Sequence, residues 1–250
     1  MIPQIIQVIR EHPNWLRSSN ALLSFMKTST PASGTRANQG KILLFVFEEG
    51  EVWPTLCVKT TRMYSTGEII KRNHNNLKLL EEGVLGSSYA QMFAKSLYLY
   101  DDGSVIFCIE SVCPGIRFSA RPYNNVELVM RKYIAWQSYL AQNTKKFQTF
   151  ENNIRLPMIV QHGDMTPDNV LVSGENIYLI DYDYAGACTL PGFDLLNFLS
   201  KMKFSPETLR SYYEQYFPRY FKSIGVHVKS YEVLLPFYQR EEGNRKIGKL

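Results

Sequence analysis

Residues Ile159–Phe198 read IVQHGDMTPDNVLVSGENIYLIDYDYAGACTLPGFDLLNF, and the fold is decided in this stretch. Val170-Leu171-Val172 is a short apolar run, Ser173-Gly174-Glu175-Asn176 is turn chemistry, and Ile177-Tyr178-Leu179-Ile180 returns as a second run. The pattern predicts a β-hairpin. A hairpin brings its ends together, so Asn169 at the entry and Asp181 at the exit share one end of a strand pair. Asp164 lies five residues ahead of Asn169, on a loop whose Pro167 resists helix formation. Two carboxylates and an amide oxygen, all hard donors, are thereby gathered near one point. Mg²⁺ takes such ligands, usually one or two carboxylates completed by substrate phosphates and water.

Phosphoryl transfer needs these parts: a loop Asp to accept the proton of the attacking hydroxyl, an Asn five residues on for one Mg²⁺, and an Asp after the next hairpin for the other. His162-Gly163-Asp164 with Asn169 has this spacing, with Gly163 where protein kinases carry Arg. Together with Ile180-Asp181 and the short run to Asp194-Leu195, the set resembles the aminoglycoside phosphotransferase and choline kinase family. HGDMTPDN, LIDYDYAG and LPGFDLLNF are most similar to a bacterial branch of small-molecule kinases within it. The resemblance implies Asp164 as catalytic base, Asn169 and Asp181 as Mg²⁺ ligands, and ATP or GTP as co-substrate. His162 reads as a residue that orients the loop rather than as a base. Asp183, two residues past Asp181, either supports the metal or is solvated. Asp194 braces the catalytic loop by resemblance; by physics alone it is an acid at a helix N-terminus.

The remaining composition is that of a globular chain. At 250 residues, 45% hydrophobic and 20% charged, it can bury one large or two small cores. A net charge of +5 suits a polyanionic nucleotide and does not call for nucleic acid. Cys57, Cys108, Cys113 and Cys188 match no zinc spacing and read as buried free thiols of a reducing cytoplasm. No apolar run is long enough to span a membrane, and MIPQIIQVIREHPNW lacks the marks of a signal peptide.

In the N-terminal half, residues 4–11 form a short amphipathic helix, Leu22 to Met26 a strand, and Lys41 to Phe47 and Val52 to Lys59 two further strands. Thr28 to Gly40 is a Ser/Thr/Gly/Pro loop in the position that covers nucleotide phosphates in the resembled family. Ser33 and Gly34 are its expected phosphate contacts, Gly34 permitting close backbone approach; an ordinary surface loop is the alternative. Lys59 ends a buried apolar strand, where the kinase lysine binds the α- and β-phosphates; a solvated lysine at a strand end is the alternative. Thr66 to Glu82 is a helix with Gly83 at its C-cap. The equivalent kinase helix supplies a Glu to that lysine, but here Asn73 falls on the inward face and Glu68 far round it. Asn73 can bond Lys59 but brings no charge. Ser96 to Tyr100 and Ser104 to Glu110 form a hairpin over Asp102-Gly103. The resemblance makes the segment after it, with Glu110 and Val112, a main-chain contact to adenine.

In the C-terminal half, helices are expected from Asn124 to Leu140, from Asp194, from Ser205-Pro206 and from Ser230 to Arg240. The fold expected is α+β and two-lobed, protein-kinase-like: a small, mostly antiparallel N-lobe with one main helix (residues 1–110) and a mainly helical C-lobe carrying the catalytic hairpin (111–250). The C-lobe reads as short. The function expected is γ-phosphoryl transfer from ATP or GTP to a hydroxyl of a small molecule, with a sugar or sugar derivative as the expected acceptor. Two rivals are a catalytically silent nucleotide-binding scaffold, suggested by Asn73 and the short C-lobe, and a protein kinase, opposed by the absence of Arg in HGD, of a DFG triplet and of a long activation segment.

Overall fold

The computed structural model describes residues 1–29, 40–61, 63–120, 125–149, 154–226 and 236–240. The chain forms two compact units, Met1–Lys78 with Ala94–Val112, and Leu79–Phe93 with Cys113–Leu250. Among the described residues no helix is long and apolar enough to cross a membrane.

The first unit opens with α1 (Ile2–Glu11) and contains strands β1 (Leu23–Ser29), β2 (Ile42–Glu48) and β3 (Leu56–Thr61), most of α2 (Tyr64–Gly83), and strands β4 (Ser96–Asp101) and β5 (Ile106–Ser111). The strands form one sheet in the order β1-β2-β3-β5-β4, with every neighbouring pair antiparallel. Period-two alternation divides the sheet between two helices. Leu44, Val46, Leu56, Val58, Phe107 and Ile109 pack with Ile5, Val8 and Ile9 of α1. Cys108 and Ile106 pack with Ile70 of α2. Strand β3, buried at every position, is the middle of this arrangement. It starts at Leu56, not Val52 as the apolar pattern suggests. Val52 and Trp53 are exposed, and Pro54 has no N–H to give a ladder. Helix α2 begins two residues before the sequence-based start and includes Gly83, so Gly83 is not its cap. The left-handed turn comes at Gly86.

The second unit contains β6 (Ile116–Arg117), α3 (Val126–Asn143), the short pair β7 (Phe147–Thr149) and β8 (Arg155–Pro157), the hairpin β9 (Val170–Ser173) and β10 (Asn176–Leu179), α4 (Phe193–Ser200) and α5 (Pro206–Ser223). Of the last expected helix, 236–240 is helical and the rest lies outside the described residues. Strands β10, β9 and β6 form a three-stranded antiparallel sheet. Gly115 permits the third strand: at φ +119°, a Cβ there would lie 2.8 Å from the carbonyl oxygen of Val172. Helices α3 and α5 meet through Tyr133 and Tyr220, stacked at 5.9 Å. Ser205 caps α5 by accepting from the Thr208 N–H, with Pro206 in the first turn. The fold is the α+β, protein-kinase-like one expected, with an antiparallel sheet in the first unit and a mainly helical second unit.

Candidate active site

The second unit gathers the stretch from Ile159 to Phe198 around its hairpin. Val170 pairs with Leu179 and Ser173 with Asn176, leaving Gly174-Glu175 as a two-residue turn. Beyond the last strand pair, the Ile180 N–H donates to the Asn169 carbonyl at 3.0 Å. This bond ties Asn169 to the residue before Asp181. A short helical turn over Pro167–Asn169 then aims the Asn169 side chain backwards. Its Nδ2 donates to the Asp164 carbonyl at 2.8 Å and to Asp164 Oδ2 at 3.3 Å. The local sequence thus joins Asp164, Asn169 and Asp181 through one amide and one main-chain bond. Asp181 has φ +67°, and no other described non-glycine residue has a positive φ. Such a conformation costs on the order of 1–3 kcal/mol and is held by its surroundings.

Asp194, in the first turn of α4, is fully buried. Its Oδ2 accepts the His162 N–H at 2.6 Å and its Oδ1 the Gly163 N–H at 2.8 Å. One carboxylate therefore clamps two consecutive amides immediately before Asp164. Gly163 is left-handed at φ +86°, a conformation in which an arginine would be strained. His162 is buried against Tyr182, and its Nδ1 accepts from the Asp164 N–H at 3.4 Å. That contact assigns the ring proton to Nε2. Asp183 is buried too.

A layer beneath the loop escaped the sequence reading. Buried Gln161 receives the Tyr133 hydroxyl at 2.8 Å on Oε1 and donates through Nε2 to Gln137 Oε1 at 2.6 Å. Burial, then the neighbouring Tyr220 and Asp194, raise the Tyr133 phenol well above its ordinary range, which keeps it a donor. The signal was Gln137 itself, a polar residue on the buried face of α3.

The first unit carries Lys59. Its neighbours on the sheet face follow from register: Lys59 lies opposite Cys108, and Cys57 opposite Glu110. Lys59 and Glu110 are thus diagonal partners on one face. Lys59 Nζ lies 2.8 Å from Glu110 Oε1 and donates to Asn73 Oδ1 at 3.0 Å. Asn73 Nδ2 closes the triangle to Glu110 Oε2 at 3.3 Å. All three are buried, Asn73 completely. Asn73 faces inward as its helical phase requires, while Glu68 stands outside and pairs with Lys71 at 2.9 Å. The Cys57 and Cys108 thiols are pushed up by burial and next by the Glu110 charge, Cys108 to about 12. All four cysteines are buried thiols.

Glu110 stands differently from the sequence expectation. Its main chain is paired with Cys57 on one side and Ser96 on the other, and its carboxylate faces the lysine. The Val112 N–H donates to the Thr55 carbonyl at 3.4 Å. Ser33 and Gly34 lie outside the described residues.

Among the described residues no cluster of three or more His, Cys, Asp or Glu side chains makes a self-sufficient metal site. Asn169 and Asp181 carry an amide oxygen and a carboxylate, hard donors of the kind Mg²⁺ takes beside phosphates and water. Residues 110–222, which contain Asp164, Asn169, Asp181 and Asp194, match the choline/ethanolamine kinase family model. The chain is thus similar, over that stretch, to the choline/ethanolamine kinases. Its fold is shared with the aminoglycoside phosphotransferase APH(3'')-Id of Streptomyces rimosus, at 9% identity over 87% of this chain and 91% of that one, with a TM-score of 0.58. An aminoglycoside-3'-phosphotransferase of type VIII matches at 18% identity over 88% and 93% of the two chains, TM-score 0.52. A spectinomycin phosphotransferase, solved with ADP and spectinomycin, matches at 13% over 96% and 84%, TM-score 0.52. No curated protein matches significantly. The chain departs from the kinase pattern of a helix carboxylate on the strand lysine, and carries a strand carboxylate there.

Proposed function

We propose that the protein transfers the γ-phosphoryl group of ATP or GTP to a hydroxyl of a small molecule. The observation that carries this reading is the bonding of Asn169, whose amide holds Asp164 while its carbonyl holds the chain entering Asp181. Asp164 is the base. The acceptor hydroxyl gives its proton to the Asp164 carboxylate as its oxygen bonds the γ-phosphorus, and the bond to the bridging oxygen breaks with departure of the nucleoside diphosphate. Asn169 and Asp181 hold Mg²⁺, which when bound neutralises charge on the phosphates. Lys59 binds the triphosphate. His162 and Asp194 orient the loop, and Asp183 supports the metal ligands. On this reading residues 1–110 serve the nucleotide and 111–250 the chemistry and the acceptor, in a cytoplasmic protein. The silent-scaffold alternative drew on the missing helix carboxylate, and Glu110 supplies a charge in its place.

The acceptor is a neutral or anionic compound, such as a sugar or sugar derivative. From Lys201 to Leu250 there are ten Lys and Arg against five Glu, a net +5, the wrong sign for a polycation. Phe204, Tyr212 and Tyr216 stack in series at 4.8 Å and 5.8 Å, and rings of this kind suit a sugar face. The test is a screen of Mg·ATP and Mg·GTP against sugars, amino alcohols and antibiotics, with the phosphorylated product identified. Transfer to a neutral sugar is expected, and Asp181→Asn should weaken Mg·nucleotide binding in the same assay. Saturable phosphorylation of kanamycin-like compounds or choline, with none on sugars, overturns the acceptor class. Binding of Mg·ATP with transfer to nothing favours the scaffold.

A further inference from the structure

Resting on Lys59 as the triphosphate anchor, we infer that Glu110 is the residue that positions it, and that Asn73 is its matched complement. Strand β5 carries the counter-charge that kinases place on the helix. The ammonium of Lys59 sits 2.8 Å from the Glu110 carboxylate and donates to a neutral group of α2, Asn73 Oδ1, at 3.0 Å.

The identity of residue 73 follows from that of residue 110. An amide can accept and donate at once, and Asn73 does so, accepting from Lys59 and donating to Glu110 at 3.3 Å. A carboxylate at position 73 would place a second negative charge beside Glu110, in a site where all three groups are buried. Like charges in such a site are costly, and a buried acid left unpaired more so. Asn73 and Glu110 are therefore one exchanged pair, the charge having moved from helix to strand. Because Glu110 and Lys59 are diagonal neighbours in adjacent, hydrogen-bonded strands, the ion pair is fixed by sheet register. A rotation of α2 would cost Lys59 a neutral hydrogen bond and leave its counter-charge in place.

The probe is Mg·ATP, titrated calorimetrically into the full chain, with the thermal midpoint of each variant recorded. Glu110→Gln is expected to weaken Mg·ATP by about 10- to 150-fold, the span of one charged hydrogen bond, and Lys59→Met to weaken it at least as much. Glu110→Asp, with its charge one methylene back, should fall between Glu110→Gln and the unaltered chain. The deciding variant is the exchange Asn73→Glu with Glu110→Gln. It returns the charge from the helix and is expected to recover most of the loss, whereas Asn73→Glu alone should not bind better than the unaltered chain. A purely structural ion pair predicts no such rescue of nucleotide affinity. Unchanged Mg·ATP affinity in Glu110→Gln, or a double variant no tighter than Glu110→Gln, overturns the inference. If Glu110→Gln does not fold, a folded double variant within about tenfold of the parent affinity sustains it, and a double variant that fails to fold or to bind overturns it. If Lys59→Met itself leaves binding unchanged, the anchor role of Lys59 is what fails. If Lys59→Met weakens binding and Glu110→Gln does not, the positioning role alone falls.

Discussion

Replacing Asp164 with asparagine is expected to lower turnover by about 10²–10⁴, the usual worth of a positioned general base, and to leave the affinity for Mg·ADP nearly unchanged. The two side chains have the same shape. The Asn169 amide bonds the Asp164 carbonyl at 2.8 Å as well as its carboxylate, so the main-chain part of the contact survives. An amide oxygen at position 164 can still accept from Asn169 Nδ2. What the substitution removes is the group that takes the proton. Single-turnover transfer to whichever acceptor the screen identifies, beside calorimetry with Mg·ADP, separates the two quantities. Equal turnover in the variant would remove Asp164 from the chemistry. A parallel loss of Mg·ADP affinity would make it part of the metal site.

The largest expected effect on stability comes from Asp194→Ala. The carboxylate is fully buried and accepts the N–H groups of both His162 and Gly163. Without it two buried amides have no acceptor, and each costs about 1–3 kcal/mol. A loss of about 2–6 kcal/mol is expected, which for a chain of this size lowers the melting temperature by roughly 4–24 °C. Asp194→Asn should be intermediate, since it keeps one acceptor but turns an NH₂ towards the second amide. Chemical denaturation followed through the second unit gives the comparison. A change below about 1 kcal/mol would mean that the loop is held by other contacts. Asp194 is thus expected to matter twice, once for folding and once for holding the chain that presents Asp164.

Much of this molecule is legible in its sequence, for a physical reason. The hairpin is specified within a few residues, by apolar runs on either side of turn chemistry, and β9 and β10 fall within a residue of that reading. The phase of α2 is also a local property, so Asn73 inside and Glu68 outside could be read from periodicity. Glu110 is different. Its role depends on which strands lie side by side and in what register, and neither is written near residue 110. With Lys59 opposite Cys108 in the β3–β5 ladder, strand alternation brings Glu110 to the lysine's face. The start of β3 was misjudged because Val52 and Trp53 have strand-forming side chains on a segment that makes no ladder bonds. Gln161 and Gln137 were missed because a polar network is recognised by its partners, which lie 24 residues apart in the chain.

Asp181 exposes a conflict between two kinds of selection. Its left-handed backbone is one in which glycine would be relaxed and asparagine nearly so. Drift governed by folding alone therefore pulls this position away from aspartate, while the proposed metal role pulls it back. A library of variants propagated on thermal survival, with no screen for phosphoryl transfer, should lose its aspartate here early and be the hardier for it. Among descendants of such a protein, the residue at this position distinguishes a lineage still under catalytic selection from one kept only as a folded binder.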